Sequence, residues 1–245
     1  MADQQTLKKA AAYNPMQGHK LGLAGVLLAQ IYKEKRDRFL RKIFDKKTLK
    51  PFMKYREIQV IEEILLNLKP KVCIEWGAGY SALYFSKFLT EDARWISVEH
   101  DKNWAKRASG LVHAAGDKRV EICLVEPERA SWEETGKEGT AADFKSYLSY
   151  PSKFKEIEFI LIDGRARKDA LIKAHEFISE RGVVVLHDAN RGIYRQPFGL
   201  YKHQALFTDN RLDGGGIWVG SKGLDLNCRF DVAFHKRLWQ VYNIF

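Results

Sequence analysis

The sequence predicts an α/β fold, built on a doubly wound and mostly parallel sheet, with a helical extension on its N-terminal side. Short apolar runs alternate with helix-like stretches between residues 71 and 221, and parallel strands buried on both faces have this apolar character. A pair of glycines follows the first of these runs, as at the end of a ligand-binding strand. Two later runs flank a turn-rich stretch, and this hairpin predicts that the last strand is antiparallel.

Residues 1–69 predict a basic helical extension that packs on a sheet domain formed by residues 70–245. The apolar stripe of its first helix consists of Leu21, Leu23, Val26, Leu27, Leu28, Ile31, Phe39, Leu40, Ile43 and Phe44. Apolar residues at helical spacing predict a second helix over Tyr55–Leu68, which Pro70 ends. Residues 1–58 hold 14 Lys and Arg against 5 Asp and Glu, so this segment carries most of the net charge of +10.

Strands and helices are predicted to alternate after this extension. The strands are predicted at Lys71–Trp76, Trp95–Glu99, Val120–Val125, Phe159–Asp163 and Val183–His187. The helices between them are predicted at residues 81–90, 102–114, 142–149 and 167–180. The hairpin joins Tyr201–Phe207 to Gly216–Gly220, and the aromatic-rich residues 228–245 suggest a final helix.

Length and composition describe an ordinary globular chain. A sequence of 245 residues, 45% hydrophobic and 29% charged, is enough for one large α/β domain with an extension. Three widely separated cysteines, Cys73, Cys123 and Cys228, suit a reducing compartment, and the first two are expected to be buried thiols. The N-terminal apolar run at residues 21–32 is shorter than the roughly 20 residues that span a bilayer. We therefore expect a cytoplasmic protein.

The glycine pair belongs to the stretch Val72–Ser81, which is typical of a strand ending over a nucleotide-like ligand. Gly77 and Gly79 lack Cβ atoms, so the backbone can turn sharply and approach a ligand. Ser81 is placed to cap the following helix. Glu99 lies about 20 residues further on, so the pattern also matches a dinucleotide fingerprint, and an NAD(P)-dependent oxidoreductase stays open.

Glu75 favours a different ligand. A carboxylate two residues before the first glycine would repel a pyrophosphate, but it would attract a ligand that carries sulfonium and ammonium groups. S-adenosylmethionine is such a ligand. The hairpin at the end of the sheet and the helical extension before the glycines also favour S-adenosylmethionine over a dinucleotide.

Four segments resemble motifs of the class I S-adenosylmethionine-dependent methyltransferases. They are Glu75-Trp76-Gly77-Ala78-Gly79, Ile96-Ser97-Val98-Glu99, Ile162-Asp163-Gly164-Arg165 and Val185-Leu186-His187-Asp188. The resemblance covers residues 71–221 and implies seven strands with the last antiparallel. It also implies a cofactor site formed by Glu75, Gly77, Ala78, Gly79, Ser81, Glu99, His100 and Asp163, with Glu99 on the ribose and His100 near the adenosine. The third predicted strand ends in Val125-Glu126-Pro127-Glu128, without the usual adenine contact.

Three further side chains are expected around the same crevice, because ligands bind at the carboxyl ends of the strands in an open α/β sheet. His187 is the candidate base for a hydroxyl acceptor, since imidazole titrates near neutrality; a bond to a backbone carbonyl is the alternative. Asp163 and Asp188 are candidate catalytic groups and could instead hold Mg²⁺, with Asn190 as a third ligand. Asp188 could also cap the segment that follows it.

The acceptor is expected to be a small polar or anionic metabolite or sugar, methylated on oxygen. Arg165, Arg191 and Tyr194, with Arg167 and Arg195, follow strands four and five, and guanidinium groups suit carboxylate or phosphate. Surface charges, or pairing of these arginines with Asp163 and Asp188, are the alternative. The long stretch from Glu126 to Glu158 is a candidate lid, with packing on the sheet as the alternative. Its aromatic residues include Trp132, Phe144, Tyr147 and Tyr150.

The cations of residues 20–50 allow three interpretations. The simplest is a solvated helix face opposite an apolar stripe that packs on the core. An anionic membrane surface is a second partner. Nucleic acid is disfavoured, because stacking aromatics are not interleaved with these cations. A cofactor-binding module without catalysis also stays open, and the sequence does not indicate an oligomeric state.

Overall fold

The computed structural model describes residues 22–44, 50–135, 138–210 and 214–244. The strands are β1 (Val72–Trp76), β2 (Arg94–Glu99), β3 (Val120–Leu124), β4 (Ile157–Ile162), β5 (Ile178–His187), β6 (His203–Phe207) and β7 (Ile217–Ser221). The α-helices are α1 (Leu23–Phe44), α2 (Tyr55–Leu68), α3 (Tyr80–Phe85), α4 (Lys102–Ala115), α5 (Lys145–Ser149), α6 (Arg167–Phe177), α7 (Arg195–Phe198) and α8 (Val232–Tyr242). Short 3₁₀ turns lie at Ser86–Phe88, Trp132–Thr135, Tyr150–Lys153, Gly192–Tyr194 and Leu226–Cys228.

The seven strands form one sheet in the order β3-β2-β1-β4-β5-β7-β6. Strands β1 to β5 are parallel, and β7 is antiparallel to both of its neighbours. This confirms the predicted doubly wound sheet and its antiparallel last strand. The order reverses between β1 and β4, and such a switch point is where ligands bind in open α/β sheets.

The register brings the carboxyl ends of four strands to one edge of the sheet. Trp76 of β1 lies opposite Val98 of β2 on one side and Ile162 of β4 on the other, and Ile162 lies opposite Leu186 of β5. The residues that follow these positions therefore gather at a single edge. This is the geometric basis of the site described below.

Alternate residues of the strands fill two cores, one on each face of the sheet. Cys73 of β1 packs on the α2 side, whereas Ile74 packs on the side of α5 and α6. Both side chains are fully buried, as are their neighbours on β4 and β5. This burial on both faces explains why the strands were recognisable as continuous apolar runs.

Several boundaries differ from the prediction by up to five residues, and two of them lie around α6. The helix ends at Phe177 rather than at residue 180, and β5 begins at Ile178 rather than at Val183. Ile178 pairs with Ile157 of β4 across a register irregularity, and this pairing draws the chain into the sheet five residues early. The charged residues that follow Ile178 hid the extra strand segment in the sequence.

Helix α2 has the predicted bounds and is integral to the core. Its apolar face is fully buried on the sheet, with Ile61, Ile64 and Leu65 wholly inaccessible to solvent. Its charged residues pair with the C-terminal third of the chain: Arg56 lies 3.4 Å from Asp209, and a carboxylate oxygen of Glu63 lies 2.7 Å from Nε2 of His235. The helix is thus held by both apolar and ionic contacts.

Helix α1 does not pack as the sequence indicated. Leu28, Phe39 and Ile43, which belong to the stripe expected to face the core, are exposed on the surface. Among the side chains of α1 that the structure describes, the buried ones are Val26 and the polar Gln30 and Asp37, each less than one tenth exposed. Leu21, the first member of the predicted stripe, lies outside the described residues.

The remaining sequence expectations concern the hairpin, the cysteines and the membrane. Strands β6 and β7 pair antiparallel as predicted, and α8 is the expected final helix. Cys73 is buried as expected, whereas Cys123 is only partly buried and Cys228 is exposed. Within the described ranges of the chain, no helix is long and apolar enough to cross a membrane.

Candidate functional site

A crevice of about 780 Å³ opens at the carboxyl ends of β1, β2, β4 and β5. Its volume lies in the range of small-molecule and cofactor sites. The predicted site residues that line it are Gly77, Ala78, Gly79, Ser81, Glu99, His100, Asp163, Arg165, His187 and Asp188. Three predicted site residues are missing from its described lining: Glu75, Arg191 and Tyr194.

The two glycines at the end of β1 serve different purposes. Gly77 has φ +95°, and a Cβ there would lie 2.8 Å from the Cα of Gly164. Gly77 therefore allows the turns after β1 and β4 to touch. Gly79 is extended, with φ −175°, and a Cβ there would meet only the hydroxyl of Ser81, at 3.5 Å. Its missing side chain instead leaves room in the crevice.

Glu75 does not reach the crevice, so the predicted direct contact with a cofactor is not available in this arrangement. Its carboxylate is fully buried beneath the glycine turn and accepts hydrogen bonds from Trp95 Nε1 (2.9 Å), Ser97 Oγ (2.5 Å) and Ser81 Oγ. Burial raises the pKa of Glu75 to about 7, although these three hydrogen bonds oppose the rise. Glu75 supports the turn from below.

Ser81 was predicted to cap the helix after the glycines, and this prediction is wrong. Helix α3 begins at Tyr80, with Gly79 at its N-cap position and no side chain that caps it. Ser81 lies inside the first turn, and its hydroxyl donates to Glu75. The serine therefore ties α3 to β1.

Glu99, at the end of β2, forms the floor of the crevice. One carboxylate oxygen accepts from the backbone N–H of Ala78 at 2.8 Å. The other accepts from the N–H groups of His100 (2.8 Å) and Asp101 (2.9 Å). These bonds fix the carboxylate beside the glycine turn, and Nδ1 of His100 lies 2.7 Å from the oxygen that accepts from His100 and Asp101. The oxygen that accepts from Ala78 has a lone pair left for a ligand hydroxyl.

Aromatic rings surround His100 on the same side. The ring centroid of His100 lies 5.5 Å from that of Trp132, 5.6 Å from Phe144 and 6.2 Å from Tyr147. Phe144 and Tyr147 are fully buried in the core below, so they pack on the sheet rather than form the predicted lid. Trp132 also packs on this core and lines the crevice, at the place where the third strand lacks an adenine contact.

A chain of buried charges crosses the far end of the crevice. The Nδ1 atom of His187 lies 2.8 Å from an oxygen of Asp163, and its Nε2 atom lies 3.5 Å from an oxygen of Glu57. Burial lowers the pKa of His187, but the charges and hydrogen bonds of Asp163 and Glu57 outweigh it and raise the pKa to about 10. The ring is therefore protonated at neutral pH and engaged on both sides. This arrangement does not suit the predicted role of His187 as a base.

Arg167 occupies the position between the two strand-end aspartates. Its guanidinium lies 3.2 Å from Asp163 Oδ1 and 3.3 Å from Asp188 Oδ2, and it donates to the carbonyl of His187 at 2.9 Å. The other oxygen of Asp188 accepts from the N–H of Gly215 at 2.5 Å. Asp188 thus fixes the glycine turn before β7 rather than capping the segment after it.

These contacts do not fit the predicted Mg²⁺ site. Arg167 already supplies the positive charge that Asp163 and Asp188 would offer to the metal. Asn190, the proposed third ligand, is not among the described residues that line the crevice, and its amide nitrogen ties it to the carbonyls of Asp209 and Gly214. In the part of the chain that the structure describes, no cluster of three or more His, Cys, Asp or Glu side chains could hold a metal ion.

Comparison with solved structures establishes the fold. An O-methyltransferase from Bacillus cereus in complex with SAH has a TM-score of 0.53 and 14% identity, over 77% of this chain and 97% of that one. The O-methyltransferase TomG from Streptomyces achromogenes, involved in tomaymycin synthesis and in complex with SAM, has a TM-score of 0.52 and 15% identity, over 78% and 88%. This chain has the class I methyltransferase fold. At these identities the likeness concerns the fold alone.

A methyltransferase from Geobacter sulfurreducens is similar over 84% of this chain and 94% of its own length, with a TM-score of 0.50 and 14% identity. No family model matches the sequence, and no curated protein matches it. The activity must therefore be inferred from the residues that this methyltransferase fold places in the crevice.

Of the residues predicted to bind the acceptor, one lines the crevice of this methyltransferase fold. Arg165 is half-buried there, and its guanidinium lies 5.5 Å from the ring centroid of Trp132. Arg191 instead pairs with Glu138 and lies 3.3 Å from the hydroxyl of Tyr194, which is itself fully buried. Sequence proximity to a strand end did not show which way these side chains face.

The rim of the crevice contains residues that the sequence analysis missed. Rings of Phe52 and Tyr80 lie 5.7 Å apart, and those of Tyr80 and Trp104 lie 6.5 Å apart, all edge to face. Phe52 is 77% exposed although it lines the crevice. Phe52 and Trp104 were missed because neither belongs to a motif, whereas Tyr80 follows the glycine pair and the sequence left both packing and cofactor contact open for it.

Proposed function

We propose that this protein is a methyltransferase, which transfers the methyl group of S-adenosylmethionine to an oxygen of a small polar or anionic acceptor. The observation that carries the proposal is Glu99, held by three backbone N–H groups beside the glycine turn at the switch point of the sheet. A fixed carboxylate next to an open turn suits the hydroxyls of an adenosine ribose. The class I methyltransferase fold supports the same cofactor.

The residues of the crevice fit this cofactor without further groups. Glu99 would accept hydrogen bonds from the ribose, and His100 with Trp132 would contact the adenine. Gly79 leaves room for the chain that links the ribose to the amino acid end. When bound, S-adenosylmethionine supplies an electrophilic methyl group on a positively charged sulfur.

Proton removal from a hydroxyl acceptor is assigned to Asp163. Its carboxylate lines the crevice, and the side chain is 23% exposed. His187 and Arg167 both bind one of its oxygens, Oδ1, and therefore fix its orientation. His187 is a positioning residue in this proposal, and Asp188 contributes by holding Arg167 from the other side.

Two features disfavour the alternative of an NAD(P)-dependent oxidoreductase. Dinucleotide-binding sheets have the strand order 3-2-1-4-5-6, whereas here the antiparallel β7 lies between β5 and β6. The N–H of Ala78, in the glycine turn where a pyrophosphate would lie, already donates to the carboxylate of Glu99. Glu75 takes no part in this contact, because it is buried beneath the turn.

Calorimetric titration with S-adenosylmethionine, S-adenosylhomocysteine and NAD tests the cofactor. We expect both adenosyl compounds to bind and NAD to fail. Glu99→Gln should weaken binding by about tenfold or more, because hydrogen bonds to a charged group contribute about 1.5–3 kcal/mol. Glu91→Gln, at an exposed acid outside the crevice, is the matched control and should bind normally. Binding of NAD alone would refute the proposal.

Methyl transfer to a panel of anionic and neutral hydroxyl compounds then tests the activity and the acceptor. Arg165→Ala should raise KM for anionic acceptors at least about tenfold, whereas Arg191→Ala should not, since Arg191 pairs with Glu138. Equal behaviour of the two variants would exclude Arg165 as the acceptor's anchor. Tight cofactor binding without turnover on any acceptor would favour the non-catalytic module.

A further inference from the structure

Helix α1 presents a stripe of large apolar side chains to solvent. Leu28 is 66% exposed, Tyr32 67%, Phe39 57% and Ile43 56%. At 100° per residue these four positions fall within about 60° of the helix circumference. They therefore form one continuous strip on the outer surface of the helix.

The opposite side of α1 holds the helix in this orientation. Val26, Gln30 and Asp37 are its buried residues, and all three lie on the side facing away from the exposed strip. Gln30 bonds to the side chain of Gln59, and Asp37 accepts a hydrogen bond of 2.5 Å from the hydroxyl of Tyr55. Polar contacts to α2 thus set the rotation of α1 and direct the apolar strip outward.

Cations border the strip on both sides. Lys35, Arg38 and Lys42 follow one edge, and Arg36 lies at the other, all of them exposed. Arg36 is the member that pairs with an acid, the neighbouring Asp37. An apolar strip between two cationic borders is the pattern of a helix that lies in a lipid interface, with the long basic side chains reaching the headgroups.

Charge selects among the surfaces that could cover this strip. Residues 1–21 of the same chain contain three lysines and one aspartate, so they would add positive charge to a positive face. A second copy of α1 would also bring like charges together. A nucleic acid would satisfy the cations but would offer little apolar surface to the strip. An anionic surface with an apolar interior satisfies both.

We propose that α1 docks on an anionic lipid membrane, with Leu28, Tyr32, Phe39 and Ile43 inserted among the acyl chains and the flanking cations at the headgroups. The helix lies parallel to the membrane plane. Its 22 residues extend about 33 Å, so the contact is long enough to fix the orientation of the protein on the surface.

Co-sedimentation of the full chain with vesicles tests the proposal. The vesicles contain phosphatidylcholine alone, or phosphatidylcholine with about one third phosphatidylserine. We expect binding to the anionic vesicles only. The double variant Lys35→Glu/Lys42→Glu should bind at least about tenfold more weakly, since each cation near an anionic surface contributes roughly fivefold. The double variant Phe39→Ser/Ile43→Ser should lose at least about tenfold while keeping every cation.

Lys106→Glu/Lys145→Glu is the matched charge control, because both lysines are exposed and lie on other helices, α4 and α5. It should bind within about twofold of the unmodified chain. Binding that is equal on neutral vesicles, absent on anionic ones, or unchanged in the serine variant would overturn the proposal. Binding to polyglutamate that survives the serine substitutions would assign the face to an acidic protein. If the unmodified chain does not bind lipid but sediments as a dimer, and the serine variant loses that dimer, the apolar strip would be assigned to a second copy of the chain.

Discussion

Replacing Glu75 with glutamine tests how the first strand supports the glycine turn. Glu75 is fully buried, and its carboxylate accepts hydrogen bonds from Ser81, Ser97 and Trp95. Glutamine has the same shape and no charge. The substitution therefore removes the cost of burying a carboxylate while it keeps most of the packing.

The size of the effect follows from the pKa. Burial raises the pKa of Glu75 from 4.5 to about 7, so between these values the native state binds a proton that the unfolded state has lost. Stability then falls as pH rises from 4.5 to 7, by about 3 kcal/mol in all, and stays constant above. The glutamine variant lacks this dependence on pH, because its side chain does not titrate. Its free energy of unfolding, relative to that of the unmodified chain, should rise across this window.

Urea denaturation from pH 4 to pH 8 measures this difference directly. At pH 4 both chains carry a neutral side chain at position 75, so any difference there reports the altered hydrogen bonds alone. Ser97→Ala is a useful control, because loss of one donor to Glu75 should raise the pKa further and extend the pH dependence to higher pH.

The reasoning fails if the difference in unfolding free energy between Glu75→Gln and the unmodified chain is constant from pH 4 to pH 8. That result would mean that Glu75 titrates near its ordinary value in the native state. A pH-dependent difference of the opposite sign would mean that the three donors overcompensate the cost of burial.

Three further experiments probe the crevice. The ring of His187 should stay protonated from pH 6 to pH 8 by NMR, because its pKa is raised to about 10, and a midpoint near 6.5 would contradict this. Gly77→Ala should cost at least about 1–3 kcal/mol of stability because φ is +95°, whereas Gly79→Ala should fold normally and weaken only cofactor binding; equal melting temperatures for both would be inconsistent with these roles. Arg167→Gln leaves two aspartates and the carbonyl of residue 187 without their cation. It should lower the free energy of unfolding in urea by about 3–5 kcal/mol. A small loss would contradict this and would mean that water replaces the guanidinium.

The sheet was readable from the sequence because its physical causes are local. Parallel strands buried on both faces are apolar throughout, and helices between them repeat every 3.6 residues, so both patterns survive in the chain. The early start of β5 at Ile178 was not readable, because Ser179, Glu180 and Arg181 look like a loop. They lie in the register irregularity between the pairs Ile178–Ile157 and Val183–Phe159 of β5 and β4, and no local pattern records such a feature.

The sequence predicted residues of the crevice correctly only where the position on the backbone fixes the direction of the side chain. Glu99 follows directly from its place at the end of β2. Glu57 was missed as a member of the charge chain, since nothing near it in the sequence shows that α2 lies against β5. The pairing of Arg167 with Asp163 and Asp188 was an alternative that the sequence left open, and the structure has it. Glu75 was misplaced for a related reason: alternation along β1 turns its side chain to the α2 face, away from the ligand edge.

Helix α2 leaves the ribosome long before its charged partners do. Glu63 must wait for His235, 172 residues later, and Arg56 must wait for Asp209, 153 residues later. If α2 docked before these partners were made, Arg56 and Glu63 would be buried without counter-charges, which is costly. The paired docking of α2 is therefore complete only after the C-terminal third of the chain has been made. The same late step places Glu57 beside His187 at the end of the crevice.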